Sequence, residues 1–214
     1  MKKNLLIAVT TWAALSVATV PSFAEGDAAA GKTKSVTCAA CHGPDGNSSV
    51  PQWPKLAGQS ASYIAKQLKD FKAKRRNDPS MSPQAQMLNE QDIEDLAAYF
   101  ASQSPNPGSG NPALQMAGKK VYRKGNIKAF VIACVGCHGL TGKGNKALLD
   151  SVKAPSIVEA PFIASQHAMY VAKQIRAFRD GARTNDVGRI MRNITAKMTD
   201  EEIDAVAEYI AGLH

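Results

Sequence analysis

Aromatic side chains make up only 6% of the chain, and cysteine occurs four times in 214 residues. A small disulfide-stapled scaffold carries more than ~8–10% cysteine, so staples do not hold this fold. Beyond residue 24 no apolar run approaches the ~20 residues of a transmembrane helix, which argues against membrane insertion past that point. Alternating apolar and polar stretches of useful length are missing, which removes most β architectures. What is present is enough for a core: hydrophobic residues at 44% and charged residues at 21% exclude a disordered chain. The length suits one large domain or two small ones.

The single strongly apolar run lies at the start. Lys2 and Lys3 precede Leu5 to Val20, and Ser22-Phe23-Ala24 places small residues at the −3 and −1 positions of a cleavage site. This is the layout of a secretory signal peptide over 1–24, with an uncleaved anchor as the alternative. The expected mature chain starts at Glu25, is periplasmic, and carries 24 basic against 18 acidic side chains. The excess is uneven. Residues 25–105 hold nine of each sign, whereas 106–214 hold fifteen basic and nine acidic. A basic surface can bind nucleic acid or an acidic protein, and export leaves the protein.

The chain is written twice. Cys38-Ala39-Ala40-Cys41-His42-Gly43 recurs as Cys134-Val135-Gly136-Cys137-His138-Gly139. Pro54-Lys55-Leu56-Ala57-Gly58-Gln59 is echoed by Pro161-Phe162-Ile163-Ala164-Ser165-Gln166, and Tyr63-Ile64-Ala65-Lys66-Gln67 by Tyr170-Val171-Ala172-Lys173-Gln174. Between the copies, the stretch 102–112 holds three prolines and two glycines, a linker composition. The division is therefore 25–104, a linker at 105–112, and 113–214. Duplication of this kind suggests halves packed about a pseudo-twofold axis.

The coarse pattern is all-α. Ile93, Leu96, Ala97 and Phe100 form an i, i+3, i+4, i+7 stripe over 92–102, repeated by Ile203, Val206, Ala207 and Ile210. Thr199 with Glu202 reads as a capping box, and Asn89 with Asp92 as a weaker one. Middle helices are expected over 60–74 and 167–180, and opening helices over 27–37 and 113–123.

Cys-x-x-Cys-His is the attachment signal for a c-type haem. Two thiols three positions apart on one helical turn can each add to a vinyl group of one porphyrin, and the adjacent imidazole then meets the iron. A zinc site, a thioredoxin-type redox pair and plain disulfides are the other uses of paired cysteines. The His after each pair, the absent βαβ context and the export signal count against them. The sixth iron position decides the chemistry. Among Met81, Met87, Met116, Met169, Met191 and Met198, only Met81 and Met191 hold the same place relative to the last helix of their halves, twelve residues before Ile93 and Ile203. Each follows a basic, turn-rich stretch that reads as a loop able to reach the far face of a haem. The other four methionines read as core filler. His167 and His214 read as solvated. The carbonyls of Pro54 and Pro161 are the expected acceptors for the second imidazole nitrogen, with Pro155 as a competitor in the second half. Trp53, Tyr63, Phe71, Tyr99, Tyr170, Phe178 and Tyr209 are expected to wall the haem crevices.

The paired Cys-x-x-Cys-His motifs, the Pro-x-x-Ala-x-Gln segments, the Tyr-x-Ala-Lys-Gln helices and the Met-to-Ile spacing together resemble the cytochrome c4 family. The resemblance covers the whole chain after residue 24. It implies two tandem class I cytochrome c-like domains and two covalently bound haem c groups. It also implies thioether links at Cys38, Cys41, Cys134 and Cys137, axial pairs His42/Met81 and His138/Met191, and haems near the domain interface joined through propionates. It further implies a monomeric electron carrier, not an enzyme, between a quinol–cytochrome c oxidoreductase-type donor and a cytochrome c oxidase-type acceptor. Peripheral membrane association stays open without an anchor. A haem subunit of a periplasmic dehydrogenase and a dihaem peroxidase are the rival readings. Four ionised propionates would bring the first half to about −2 and the second to about +4, a dipole that could dock different partners at opposite ends.

Overall fold

The structure is a computed structural model and describes residues 26–144 and 160–214. The expected signal peptide at 1–24 and the competitor Pro155 lie outside them. The first half runs through α1 (Ala28–Lys34), α2 (Val36–His42), α3 (Ala61–Lys72), α4 (Met81–Gln86) and α5 (Glu90–Ala101). The second runs through α6 (Gln115–Lys124), α7 (Val135–His138), α8 (Ala168–Arg179), α9 (Ile190–Thr195) and α10 (Asp200–Ala211). Among the described residues, extended pairing is limited to one bridge, Asn126 with Val131.

Local chemistry sets these bounds. Asp27 caps α1 by accepting the Ala29 and Ala30 N–H groups, and Ser60 caps α3 through the Tyr63 N–H. Both expected capping boxes form, Asn89 with Asp92 and Thr199 with Glu202. The helix expected over 27–37 breaks at Ser35, whose buried hydroxyl donates to the Lys32 carbonyl. The chain restarts as α2, which carries the whole first Cys-x-x-Cys-His motif. The helix expected at 113–123 begins two residues later, behind a 3-10 turn over Pro112–Leu114.

The predicted stripes are the two cores. Ile93, Leu96, Ala97 and Phe100 are buried in one, and Ile203, Val206, Ala207 and Ile210 in the other. In each half the first helix crosses the last at a glycine. A Cβ on Gly31 would lie 2.0 Å from the Asp95 carbonyl oxygen, and one on Gly118 would lie 2.0 Å from that of Ala205. Only a residue without a side chain lets the backbones approach so closely. Sequence periodicity gave no hint of either position. The first crossing is also pinned electrostatically. Buried Asp95 takes the Lys34 ammonium at 2.6 Å and the Asp27 N–H at 2.9 Å.

The linker follows the surface as an extended strap fixed at both ends. Asn106 N–H donates to Asn47 Oδ1, and Asn111 N–H to Glu208 Oε2.

Two outcomes are expected. Gly118→Ala drives a methyl into backbone rather than into a flexible side chain, so it should lower stability by about 1–3 kcal/mol in thermal or denaturant unfolding. The second outcome concerns acid. The Lys34 bond, then the Asp27 N–H and Gln91, hold the Asp95 carboxyl down from 3.8 to about 2. A carboxylate depressed in the folded state stabilises above its unfolded pKa and loses that contribution as pH falls. Wild-type stability should therefore drop between about pH 4 and pH 2, and Asp95→Asn should show a shallower drop over that window in pH-dependent unfolding.

Candidate haem-binding centres

Cys38 and Cys41 lie on α2 one helical turn apart, with His42 closing the helix. Cys134 and Cys137 lie the same way around α7, which His138 closes. All four cysteines are free and half-buried. Among the described residues no three His, Cys, Asp or Glu side chains converge as a metal-binding group. The two cysteine pairs therefore stay apart and do not form one four-thiolate zinc site. Burial pushes the Cys134 thiol up to about 11 and raises that of Cys38, so both are protonated near neutral pH rather than reactive thiolates.

Both histidines are buried, and each places Nδ1 on the expected proline carbonyl: His42 on Pro54 at 2.8 Å and His138 on Pro161 at 3.1 Å. A carbonyl oxygen can only accept, so Nδ1 carries the proton and donates it. The lone pair is left on Nε2. Burial, opposed by that hydrogen bond, holds both imidazoles below the usual histidine pKa. Neutral imidazole with Nδ1–H committed elsewhere is the form that ligates a metal through Nε2. The donor set thus fits a covalently held haem twice over.

Met81 and Met191 are half-buried and follow the expected turn-rich stretches, 75–80 and 183–189. Met81 opens α4 and Met191 is the second residue of α9. An aspartate in each stretch accepts main-chain N–H groups at or next to the methionine. Asp78 accepts the N–H groups of Ser80 and Met81, and Asp186 accepts that of Arg192. The N-cap positions themselves, Ser80 and Arg189, make no side-chain cap bond. Of the other methionines, Met198 is core at 5% exposure, as expected. Met87, Met116 and Met169 are exposed and not core filler.

The centre of the boundary between the halves repeats its glutamine and arginine contacts under a twofold exchange. Gln59 bridges the N–H and C=O of Phe162 at 2.9 and 2.8 Å. Gln166 does the same for Lys55 at 2.9 and 2.9 Å. Arg76 donates to Tyr170 and Gln174, and Arg183 to Tyr63 and Gln67. Each guanidinium also lies over an aromatic ring of its own half, Phe71 at 4.6 Å and Phe178 at 4.4 Å. Tyr63, Tyr170, Phe71 and Phe178, expected as crevice walls, are engaged in this network. His167, expected in solvent, instead donates from Nε2 to the Ser48 carbonyl across the boundary at 2.8 Å. A carbonyl in the other half is a partner that sequence spacing cannot reveal.

A model of the Cytochrome c family matches the chain twice, over 25–104 and 115–214. The chain is 45% identical to cytochrome c4 of Azotobacter vinelandii over 89% of its own length and 91% of that protein's. The crystal structure of reduced recombinant cytochrome c4 from Pseudomonas stutzeri superposes with a TM-score of 0.80 at 43% identity, spanning 88% of this chain and 100% of that one. A protein named as a thiosulfate dehydrogenase electron acceptor in Stutzerimonas stutzeri (strain A1501) is 33% identical over 83% of this chain and 79% of its own.

The twofold network makes a direct prediction. Gln59→Ala removes both hydrogen bonds to the part-buried main chain of Phe162, at about 1–3 kcal/mol for the pair, and Gln166→Ala removes those to Lys55 equally. Each should lower the unfolding midpoint, and the double variant should split a single calorimetric transition into two.

Proposed function

The chain belongs to the cytochrome c4 family, electron-transfer proteins with two covalently bound haem c groups, and from that premise we propose a periplasmic carrier that passes single electrons from a quinol–cytochrome c oxidoreductase-type donor to a cytochrome c oxidase-type acceptor. The observation that carries this reading is the pair of buried histidines whose Nδ1–H groups are taken by Pro54 and Pro161. In each half that bond leaves Nε2 as the free basic nitrogen of a neutral ring, the atom that would take a bound iron.

Bound haem supplies a one-electron iron couple, and the chain's residues do the rest. Cys38 and Cys41, and Cys134 and Cys137, tether the porphyrins. His42 and His138 would each hold an iron through Nε2, and Met81 and Met191 would supply the further ligand through sulfur. A sixth ligand from the chain leaves no position for substrate and raises the reduction potential. Ligands fixed on helices also change little between oxidation states, which keeps the reorganisation small. Arg76 and Arg183 contribute as well. They are buried at 8% exposure each, and their hydrogen bonds run to neutral amide and hydroxyl oxygens. Two like charges in such a place are costly without anions, and propionate carboxylates of the bound groups at the interface would offset them.

Residues 1–24 serve here as the export signal and 105–112 as the linker between domains 25–104 and 113–214. The second reading is an electron acceptor dedicated to a periplasmic dehydrogenase. It draws on the relatives named for thiosulfate dehydrogenase and on a thiosulfate dehydrogenase of Marichromatium purpuratum, of which this chain spans 40% at a TM-score of 0.75. Reduction by quinol oxidoreductase or by thiosulfate dehydrogenase in a purified assay separates the two.

The ligand assignment is tested spectroscopically. The oxidised wild-type protein should show the weak near-infrared band of iron–sulfur ligation and, once reduced, bind little carbon monoxide. Met81→Ala and Met191→Ala should each remove about half of that band and open one carbon monoxide site per molecule. Full retention of the band in either variant would assign that ligand elsewhere.

A further inference from the structure

The two halves differ in the approach to their Cys-x-x-Cys-His motifs. In the first, α1 passes through Ser35 directly into α2. In the second, residues 125–133 intervene before Cys134 and form a small hairpin, closed by reciprocal bonds between Asn126 and Val131 at 2.9 Å each. Asn126 Nδ2 anchors the hairpin to Glu202 at 2.7 Å, and Val131 is buried in the second core beside Cys134 and Val135. This loop is built and fastened.

Its outer face is apolar at a cost. Phe130 is 85% exposed and sits at φ +59°, in the left-handed region. A bulky residue there is an outlier, and an exposed ring recovers nothing for the fold. Ile127 is 85% exposed and Ile132 is 64%, while Val131 between Phe130 and Ile132 is 2%. The alternation turns Phe130 and Ile132 away from the core that Val131 joins. Lys128 lies within the hairpin and Lys119, Lys120, Arg123 and Lys124 on α6, which leads into it; all five are exposed, and none has an ion pair among the described residues. Of the acidic first turn of α10, Glu202 and Asp200 are already engaged, while Glu201 is exposed. Glu202 is held by Asn126 and the Thr199 N–H, and Asp200 by Arg176 and Arg179.

We propose that the hairpin tipped by Ile127, Phe130 and Ile132, with its lysine and arginine surround, is the docking surface of the second domain for an acidic redox protein with an apolar patch around its own cofactor. An apolar centre with a charged rim is the anatomy of a protein interface, and the rim steers encounter with a surface of opposite sign. The occupant is a protein rather than a lipid surface because Ile132 lies two residues before Cys134. Whatever covers the hairpin sits at the tethered edge of the second centre, where it must exchange electrons. Strain kept in an exposed phenylalanine fits selection for contact over stability. The first domain, lacking the hairpin, offers a different face, so the duplication gives two unlike ports. The inference rests on haem attachment at Cys134 and Cys137, whose failure would show independently as retention of both haems in Cys134→Ala, Cys137→Ala.

The test is the second-order rate of reduction of the holoprotein by reduced flavodoxin, an acidic probe with an apolar flavin edge, at low ionic strength, with ascorbate as a small hydrophilic control. Phe130→Gly should unfold no earlier than wild type, because glycine accepts the left-handed conformation, yet react on the order of tenfold more slowly with flavodoxin. Lys128→Glu should also slow that reaction and flatten its salt dependence. Both should match wild type with ascorbate. Unchanged flavodoxin rates in both variants would overturn the proposal, as would a slowing that ascorbate shares. So would loss of co-sedimentation with phosphatidylglycerol vesicles in the variants without a change in the flavodoxin rate, which would assign the hairpin to a lipid surface.

Discussion

One hydrogen bond, made twice, governs what this chain can do. The Nδ1–H of His42 on the Pro54 carbonyl, and that of His138 on Pro161, fix the tautomer, the ring plane and the free lone pair together. Proline suits the acceptor because it donates no N–H of its own and its φ is locked, so the carbonyl is held where the ring needs it. The bond also explains why burial of the imidazole is tolerable. A neutral ring with its one donor satisfied leaves only Nε2 to be met, and that is the atom a bound metal would take. Helices α2 and α7 carry the thiols on the same short rigid segment as each ring, so tether and proposed ligand are placed by one element rather than two.

That same loop chemistry builds the contact between the halves. Pro54 and Pro161 are each followed by the residue whose main chain pairs with a glutamine of the other half: Lys55 with Gln166, and Phe162 with Gln59. Orientation of the imidazoles and docking of the domains therefore share a few consecutive residues. A change in the angle between the domains would pull on the carbonyls that hold the rings. The paired guanidiniums deepen this link. Arg76 and Arg183 cross the boundary in both directions and share the oxygens of Gln67 and Gln174. The interface is consequently polar and hydrogen-bonded, with its specificity set by direction rather than by area.

Much of this could be read in the chain beforehand, and the reasons are local. The stripes of Ile93 and Ile203, the capping boxes and the proline acceptors all depend on residues a few positions apart or on a strict repeat. What escaped depends on contacts far apart in sequence. Gly31 and Gly118 matter only because a second helix crosses them. His167 looks like a solvated helix start until Ser48 of the other half is beside it. The turn-rich stretches 75–80 and 183–189 lie outside the α-helices as expected, but the short helices that follow them at Met81 and Ile190 carry no side-chain cap on Ser80 or Arg189 and so left no local signal. The strained Phe130 left no trace in composition, since its φ is imposed by the Asn126–Val131 pairing.

Duplication makes two equal halves, but a carrier gains direction only where they differ. The glutamine and arginine pairs at the centre of the interface keep the symmetry, because a change in one partner there would leave a buried group unpaired. The outer faces are under no such constraint, since water satisfies whatever is exposed. Divergence is therefore cheapest on the surface, and that is where it appears: the second half carries the basic excess and the hairpin at 125–133, while the first half is balanced and passes straight from α1 to α2. A symmetric interior with unlike ends would let electrons pass between like centres while each end, as proposed above, met its own partner.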